Sequence, residues 1–425
     1  MMEKPYLQLG ETVVEARLSN GLLARVVRKP GFAKAYAFMA VNYGSMDSRF
    51  RLGGKLYDAP MGVAHYLEHK LFDMPDCDVN QLFSRYGGSP NAFTSYDMTA
   101  YYVECTEHFR ENLEILLNYV STPYFTAETV EKERGIIAQE IRMYEDSADS
   151  KVYENLYAAL YAHHPVRNSI AGTVESIGEI TEQTLYQCYE AFYTPANMML
   201  CVVGDVDPEL VFRIAEQLVP GGRTSLPERD YGPEEPAAPA KTRIAEQMEI
   251  SMPMFGFGFK AKPAAFGEDS MTQEIIGELA AEVLMGESSP LYTRLYEQNL
   301  IDSGFSCGYE GLRGASMLTA GGDSRDPEAV CAEILKEAQR IRREGVHPEL
   351  FRRLKRSALG RRMRDLDGFE SICYRTCAYE FEGVDYYRFP ELFRAVTLEQ
   401  VARFLDETVC ESKSAVSVIW PKDNR

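Results

Sequence analysis

The sequence predicts an α+β protein built from two duplicated domains, and three observations predict it. Each half opens on strand-like apolar runs and continues into amphipathic helices: "VVEARLSNGLLARVV" and "KAYAFMAVNYG" near the start, "QMEISMPMFGFGFKA" past the middle. The stretch from Gly221 to Lys241, "GGRTSLPERDYGPEEPAAPAK", is rich in Pro, Gly and charge and carries no periodicity, which marks a connection between domains. The two halves also end alike. "TEQTLYQCYEAFYTPANMMLCVVG" from Thr181 lies over "TLEQVARFLDETVCESKSAVSVIW" from Thr397 without a gap, the signature of an internal duplication. The predicted layout is a domain over 1–222, a linker over 223–241 and a second, homologous domain over 242–425.

Taken in order, Asn20-Gly21 between apolar runs predicts a type I′ hairpin, with the next strand in "KAYAFMAVNYG". Asp58 and Pro60 suit the first turn of a helix that runs through His65 to about Phe72. Asp78 can cap a second helix, closed by Gly87-Gly88. "SPNAFTSYDMTAYYVEC" reads as a strand, and "EHFRENLEILLNYVSTPYF" and "AETVEKERGIIAQEIRMYED" have helical apolar spacing. "NMMLCVVGDV" is a buried strand. Past the linker the order recurs: the strand run "QMEISMPMFGFGFKA", a helix over "MTQEIIGELAAEVLMGESSPLYTRLYEQ", strands, long charged helices, then a helix and a last strand, "SAVSVIWP".

A chain of 425 residues with 45% hydrophobic content can bury two large cores. Sixty-four acidic against forty-five basic residues give a net charge of -19, which repels phosphate backbones and anionic lipid. Nucleic acid and membrane are therefore poor partners, and a neutral or basic substrate fits better. The start has neither the apolar core of a signal peptide nor an Arg-rich transit pattern, and no apolar run is long enough to span a bilayer. The nine cysteines are odd in number and contain no C-x-x-C pair, the usage of a reducing compartment. These features predict a soluble cytoplasmic protein, with Cys373 and Cys377 as packing thiols on one helix face.

The chemistry gathers in "GVAHYLEHKLF". If 59–72 is helical, His65 and His69 lie one turn apart on one face, where two imidazoles can share a zinc, and Glu68 stands beside them. Such a carboxylate can take a proton from a zinc-activated water and pass it to a leaving amine. A catalytic zinc needs a third protein ligand, and Glu140 in "EKERGIIAQEIRMYED" is the natural candidate, with Glu133 two turns earlier on its face. The residues alone leave two readings open, a metal site or solvated histidines on a helix surface. Val63, Leu67 and Leu71 form an apolar stripe that favours a packed helix and hence the first. The other four histidines read as structural: His108 and His347 begin predicted helices, and His163 and His164 sit in a loop before Pro165.

"HYLEH", the glutamate of "EKERGIIAQEI" and the intervening "GGSPNAFTSYDMTAYY" resemble the pitrilysin, insulysin and mitochondrial processing peptidase family, the inverzincins, and within it the short bacterial YmfH-like branch. The resemblance spans nearly the whole chain. It implies that His65, His69 and Glu140 are zinc ligands, that Glu68 is the general base, and that Glu133 supports the site from behind a ligand. Asn91 and Ala92 match the family's edge-strand positions that hold substrate by strand addition. The implied fold is two α+β halves, each a mainly antiparallel sheet covered by helices, together forming half of a peptidase chamber. In the second half, "IGELAAEVLMGE" takes the place of the motif helix and "RRLKRSALGRRMRD" that of the Glu140 segment, so that half is expected to hold no zinc. The implied function is a zinc endopeptidase acting on short unfolded peptides or a peptide precursor. The alternative is a non-catalytic scaffold or assembly subunit of the same fold. Active family members carry an arginine and a tyrosine in the zinc-free half opposite the catalytic one. Here "LYEQNLIDSGFSCG" places Asn299 and Phe305 near those positions, which implies a heterodimer with a zinc-free paralogue that carries the pair, or otherwise a homodimer.

Overall fold

The structure, a computed structural model, describes residues 1–75 and 78–422; Cys77 lies outside the described residues. The first half runs β1 (Met2–Tyr6), β2 (Glu11–Arg17), β3 (Leu23–Arg28), β4 (Ala35–Val41), β5 (Arg49–Leu52), β6 (Lys55–Asp58), α1 (Val63–Leu71), α2 (Val79–Arg85), β7 (Ser89–Thr94), β8 (Thr99–Cys105), α3 (Phe109–Ser121), α4 (Ala127–Glu145), α5 (Ala148–Leu160), α6 (Val174–Gly178), α7 (Glu182–Phe192), β9 (Met198–Gly204) and α8 (Pro208–Leu218). After β10 (Glu228–Arg229), the second half runs β11 (Arg243–Met248), β12 (Met254–Ala261), α9 (Glu268–Met285), α10 (Pro290–Glu297), β13 (Ser306–Leu312), β14 (Ala315–Asp323), α11 (Pro327–Glu344), α12 (Pro348–Arg364), α13 (Phe369–Phe381), α14 (Phe389–Ala395), α15 (Leu398–Thr408) and β15 (Ser414–Pro421).

Strand order shows the duplication directly. The first sheet is β1-β2-β3-β9-β4-β8-β7 and the second β11-β15-β12-β14-β13. Each contains one parallel pair, β3 with β9 and β11 with β15, followed by three antiparallel ones. The first sheet adds the β1-β2 extension. Thr181 and Thr397 cap α7 and α15 in the same way, each hydroxyl accepting the backbone N–H three residues on. The strands that follow start in matching register, at Met198 and Ser414.

Several local expectations change in three dimensions. Asp58 ends β6 in a small sheet with β5 and β10, so it cannot cap a helix. The motif helix starts at Val63 behind Gly62, whose φ of 87° is left-handed and whose Cβ, if present, would lie 2.3 Å from the Ala171 carbonyl oxygen. The β2–β3 hairpin forms without a type I′ turn: Gly21 is left-handed and Asn20 is not, and the turn closes with the Gly21 N–H on the Leu18 carbonyl. The stretch 89–105 is a hairpin, β7 and β8, and "QMEISMPMFGFGFKA" is two strands, β11 and β12. The long helix of the second half breaks at Gly286 into α9 and α10. Asp78 caps α2 as expected, accepting the Asn80 N–H at 2.8 Å.

The two halves exchange a helix. α5, in the first half, packs on β12 and β15 of the second sheet, and α13, in the second half, packs on β4 and β9 of the first. In "MFGFGFKA" the phenylalanines 255, 257 and 259 face the second-half helices. The intervening glycines let α5 approach: a Cβ on Gly258 would lie 2.9 Å from Leu160 Cδ1. Cys373 and Cys377 of α13 are fully buried, and Cys373 Sγ reaches the Cys201 carbonyl at 3.6 Å. These two are packing thiols in the described core, and the eight described cysteines are all unpaired.

Polar ties lock the arrangement. The β13–β14 turn sends Arg313 into the first half, where it donates to Asn42 Oδ1 at 2.6 Å and the Asp97 carbonyl at 2.8 Å. The connecting stretch 223–241 is held along its length. Arg229 and Tyr231 donate to the buried carboxylate of Asp47, and Glu235 accepts the backbone N–H groups of Ala162, His163 and His164 while pairing with Lys260 at 2.9 Å.

Candidate metal centre

Helix α1 is fixed before it carries any chemistry. Val63, Leu67 and Leu71 are buried, and the Tyr66 hydroxyl donates to the Val130 carbonyl of α4, tying the two helices together. This leaves His65 and His69 facing Glu140 across the interface, with ring centroids 4.6 Å apart. Glu140 Oε1 stands 3.6 Å from His65 Nε2, and Oε2 stands 3.3 Å from His69 Nε2. The ligand-type atoms of these three residues all lie within 4.8 Å of one another. Glu133, two turns back on α4, meets His69 Nδ1 at 3.0 Å. With the proton on Nδ1 and donated to Glu133, the Nε2 lone pair points at the shared space, the arrangement that orients metal-bound histidines. Two imidazoles and one carboxylate suit zinc chemically, so the residues present fit such an ion.

The charges agree. His65 and His69 hold the Glu140 carboxyl well below the usual range. Burial pulls His69 down, but the carboxylates of Glu133 and Glu140 outweigh it and push the imidazole up to about 10, where a bound cation would take the place of the proton. Glu68 is 8% exposed, and burial raises its pKa against the pull of His65. Its Oε2 accepts the Thr94 hydroxyl at 2.7 Å.

His65, Glu68, His69 and Glu140 line one cavity of about 560 Å³, whose wall includes Asn91, Ala92, Thr94, Tyr144 and Glu154. β7, which carries Asn91 and Ala92, is the terminal strand of its sheet, so one side of its backbone is free for a further strand. The Ala92 N–H is covered by the side chain of Asn91, whose Oδ1 accepts it at 2.9 Å. Thr94, Tyr144 and Glu154 escape the sequence reading. Tyr144 follows Glu140 by one helical turn and donates to its Oε1 at 2.9 Å, a spacing that could have signalled it. His108 and His347 stand at helix N-caps as expected. His164 is buried, accepting the Val166 N–H and meeting the Arg313 carbonyl at 2.9 Å, while His163 is exposed.

The second half fills the equivalent place differently. α9 packs on β13 and β14 as α1 does on β7 and β8, and α12 packs on α9 as α4 does on α1. Glu274 and Glu278, one turn apart on α9, both accept from Arg362 of α12 at 2.9 Å, and Tyr379 joins at 2.7 Å. Arg361 pairs with Glu282 at 2.8 Å. Phe305 is buried against Phe255, and Asn299 is exposed just past the end of α10.

Residues 52–174 match the family described as Insulinase (Peptidase family M16), and residues 179–358 match the Peptidase M16 inactive domain. The uncharacterized zinc protease YmfH of Bacillus subtilis (strain 168) is 39% identical over 433 residues, covering 99% of this chain and 100% of that protein. The chain belongs to peptidase family M16. Among solved M16 structures, an M16-like one from Alicyclobacillus acidocaldarius is 34% identical with a TM-score of 0.94, covering 98% of this chain and 100% of that one. Pitrilysin shares the fold at 19% identity and a TM-score of 0.76, covering 97% of this M16 chain but only 45% of its own length. Among the described residues, no helix is long and apolar enough to cross a membrane.

Proposed function

We propose that this M16 chain is a zinc-dependent endopeptidase that hydrolyses short unfolded peptides or a peptide precursor. The observation that carries the reading is the convergence of His65, His69 and Glu140 beside Glu68, in a cavity walled by a free strand edge. His65, His69 and Glu140 would hold the ion. When bound, zinc supplies Lewis acidity, polarising a carbonyl and bringing the pKa of a water to about 7. Glu68 is the general base: it accepts the proton of the attacking water and delivers it to the leaving amine. Glu133 fixes the ring of His69, and β7 offers main-chain donors and acceptors to a peptide laid alongside it, a mode that demands an extended substrate and little of its sequence. A stable globular protein should therefore resist while its denatured form is cut.

A non-catalytic scaffold is the weaker reading, because a scaffold has no need of base and ligands together and here all four residues share one cavity. The test is a metal analysis alongside a quenched-peptide assay. A single zinc per chain and cleavage abolished by chelation are expected; absence of zinc, or cleavage indifferent to chelators, overturns the reading.

We also propose that a second chain completes the chamber. This chain matches less than half of pitrilysin, and the residues near the expected arginine and tyrosine are Asn299 and a core phenylalanine, Phe305. The favoured partner is a zinc-free paralogue that carries the Arg/Tyr pair, with a homodimer as the alternative. Adding such a paralogue should raise turnover together with mass in solution, since remote contacts position the scissile bond. A fully active homodimer that the paralogue leaves unchanged rules the hetero-complex out. The unpaired thiols support a reducing, cytoplasmic setting.

A further inference from the structure

We infer that Thr94 is a positioning residue: its hydroxyl holds the carboxylate of Glu68, so the strand that would carry the peptide also sets where the proton acceptor stands. The inference rests on the peptidase reading above.

Among the described residues, the Thr94 Oγ1 to Glu68 Oε2 contact at 2.7 Å is the one hydrogen bond made to this carboxylate. It leaves Oε1 free to accept a proton. Glu68 sits on α1 and Thr94 on β7, so the bond joins the base to the substrate edge and not to its own helix.

The tether is stiff at the threonine end. Thr94 pairs with Thr99 at the closed end of the β7–β8 hairpin. The turn beyond it is locked by the Ser95 N–H on the Met98 carbonyl at 2.8 Å, and Thr99 Oγ1 is anchored on the Tyr43 carbonyl at 2.8 Å. A β-branched side chain on such a backbone has few rotamers, so its hydroxyl has a defined direction. Strand alternation supplies that direction. Phe93 turns away to pack on Tyr102 and Tyr374, while Ala92 and Thr94 share the face toward α1.

The two ends of the bond also have different jobs. A glutamate side chain has three rotatable bonds, and one held by a single contact can swing out of line when that contact goes. A peptide added along Asn91 and Ala92 would then sit correctly while its proton acceptor did not. Loss of the tether should therefore fall on turnover and spare binding.

The test compares wild type, Thr94→Val and Thr94→Ser in the quenched-peptide assay, with zinc content, the melting midpoint and a crystal structure of Thr94→Val. Valine keeps the shape and removes the donor, so kcat should fall by about tenfold with KM nearly unchanged. Zinc content and melting midpoint should stay near those of wild type, serine should restore kcat, and the Glu68 carboxylate should have left its place in the valine structure. An unchanged kcat in Thr94→Val, a serine variant as slow as the valine one, or a Glu68 that keeps its place would overturn the assignment. Zinc lost from Thr94→Val would overturn it too, by placing the role at the metal. Wild type that shows no chelator-sensitive cleavage would instead overturn the peptidase reading, and the position of Glu68 in the valine structure would still decide the tether.

Discussion

The two halves use one scaffold to opposite electrostatic ends. In the first, two histidines one turn apart on α1 face a glutamate on α4, a set of lone pairs with no cation among them until a proton or a metal supplies one. In the second, two glutamates one turn apart on α9 face an arginine on α12, and the cluster carries its own cation permanently. Helix, spacing and partner helix are shared; the sign of the charges is inverted. The lesson is that a packed pair of helices leaves a polar gap that must be filled, and that a fixed arginine fills it permanently whereas a donor set fills it on demand.

The sharpest way to break this contrast is to remove a donor. His65→Ala or Glu140→Ala should lose the zinc altogether, since a site reduced to two protein ligands rarely holds it through purification. Full zinc content in either variant sinks the ligand assignment. On the other side, Arg362→Met strands two half-buried carboxylates and should cost about 3 kcal/mol in a denaturant titration, the low end for breaking a buried pair, with zinc content unchanged. Replacing Glu274 and Glu278 by leucine in the same chain should recover much of that loss, because a buried ion cluster and an apolar one of similar volume are close in stability.

Glu68→Gln separates chemistry from binding. It should keep zinc and the thermal midpoint while peptide turnover falls by about 100-fold or more. Turnover near wild type would move the base elsewhere. The smallest effect tests the exchange of helices: Gly258→Ala drives a methyl toward Leu160 and should destabilise by about 1–3 kcal/mol, read as a lowered denaturation midpoint with zinc intact. An unaffected midpoint would mean that α5 is not seated on β12 as described.

The motif helix was legible because a one-turn spacing on an amphipathic stripe is a local property. Its start was not, because Asp58 and Pro60 are as good a helix opening as any until β6 pairs with β5, and Gly62 is explained only by the Ala171 carbonyl against it. The reading of 89–105 as one strand failed at Ser95–Met98, where a turn interrupts the pattern without Gly or Pro to mark it. Thr94 carries no such signal, since a threonine in a strand ordinarily shows only β propensity and its bond to Glu68 is made across the fold. "MFGFGFKA" reads as part of a strand run, yet nothing in it says that the helix on its glycine face comes from the other half.

That exchange bears on how the chain is made. A ribosome at 5–20 residues per second finishes β9 at Gly204 and reaches the end of α13 on the order of ten to thirty seconds later. Throughout that interval the face of the first sheet bearing Tyr36, Phe38, Met199 and Cys201 lacks the helix that covers it in the finished molecule. The half made first is thus the half completed late, and a chain whose synthesis stalls within that window displays an apolar sheet face to the cell.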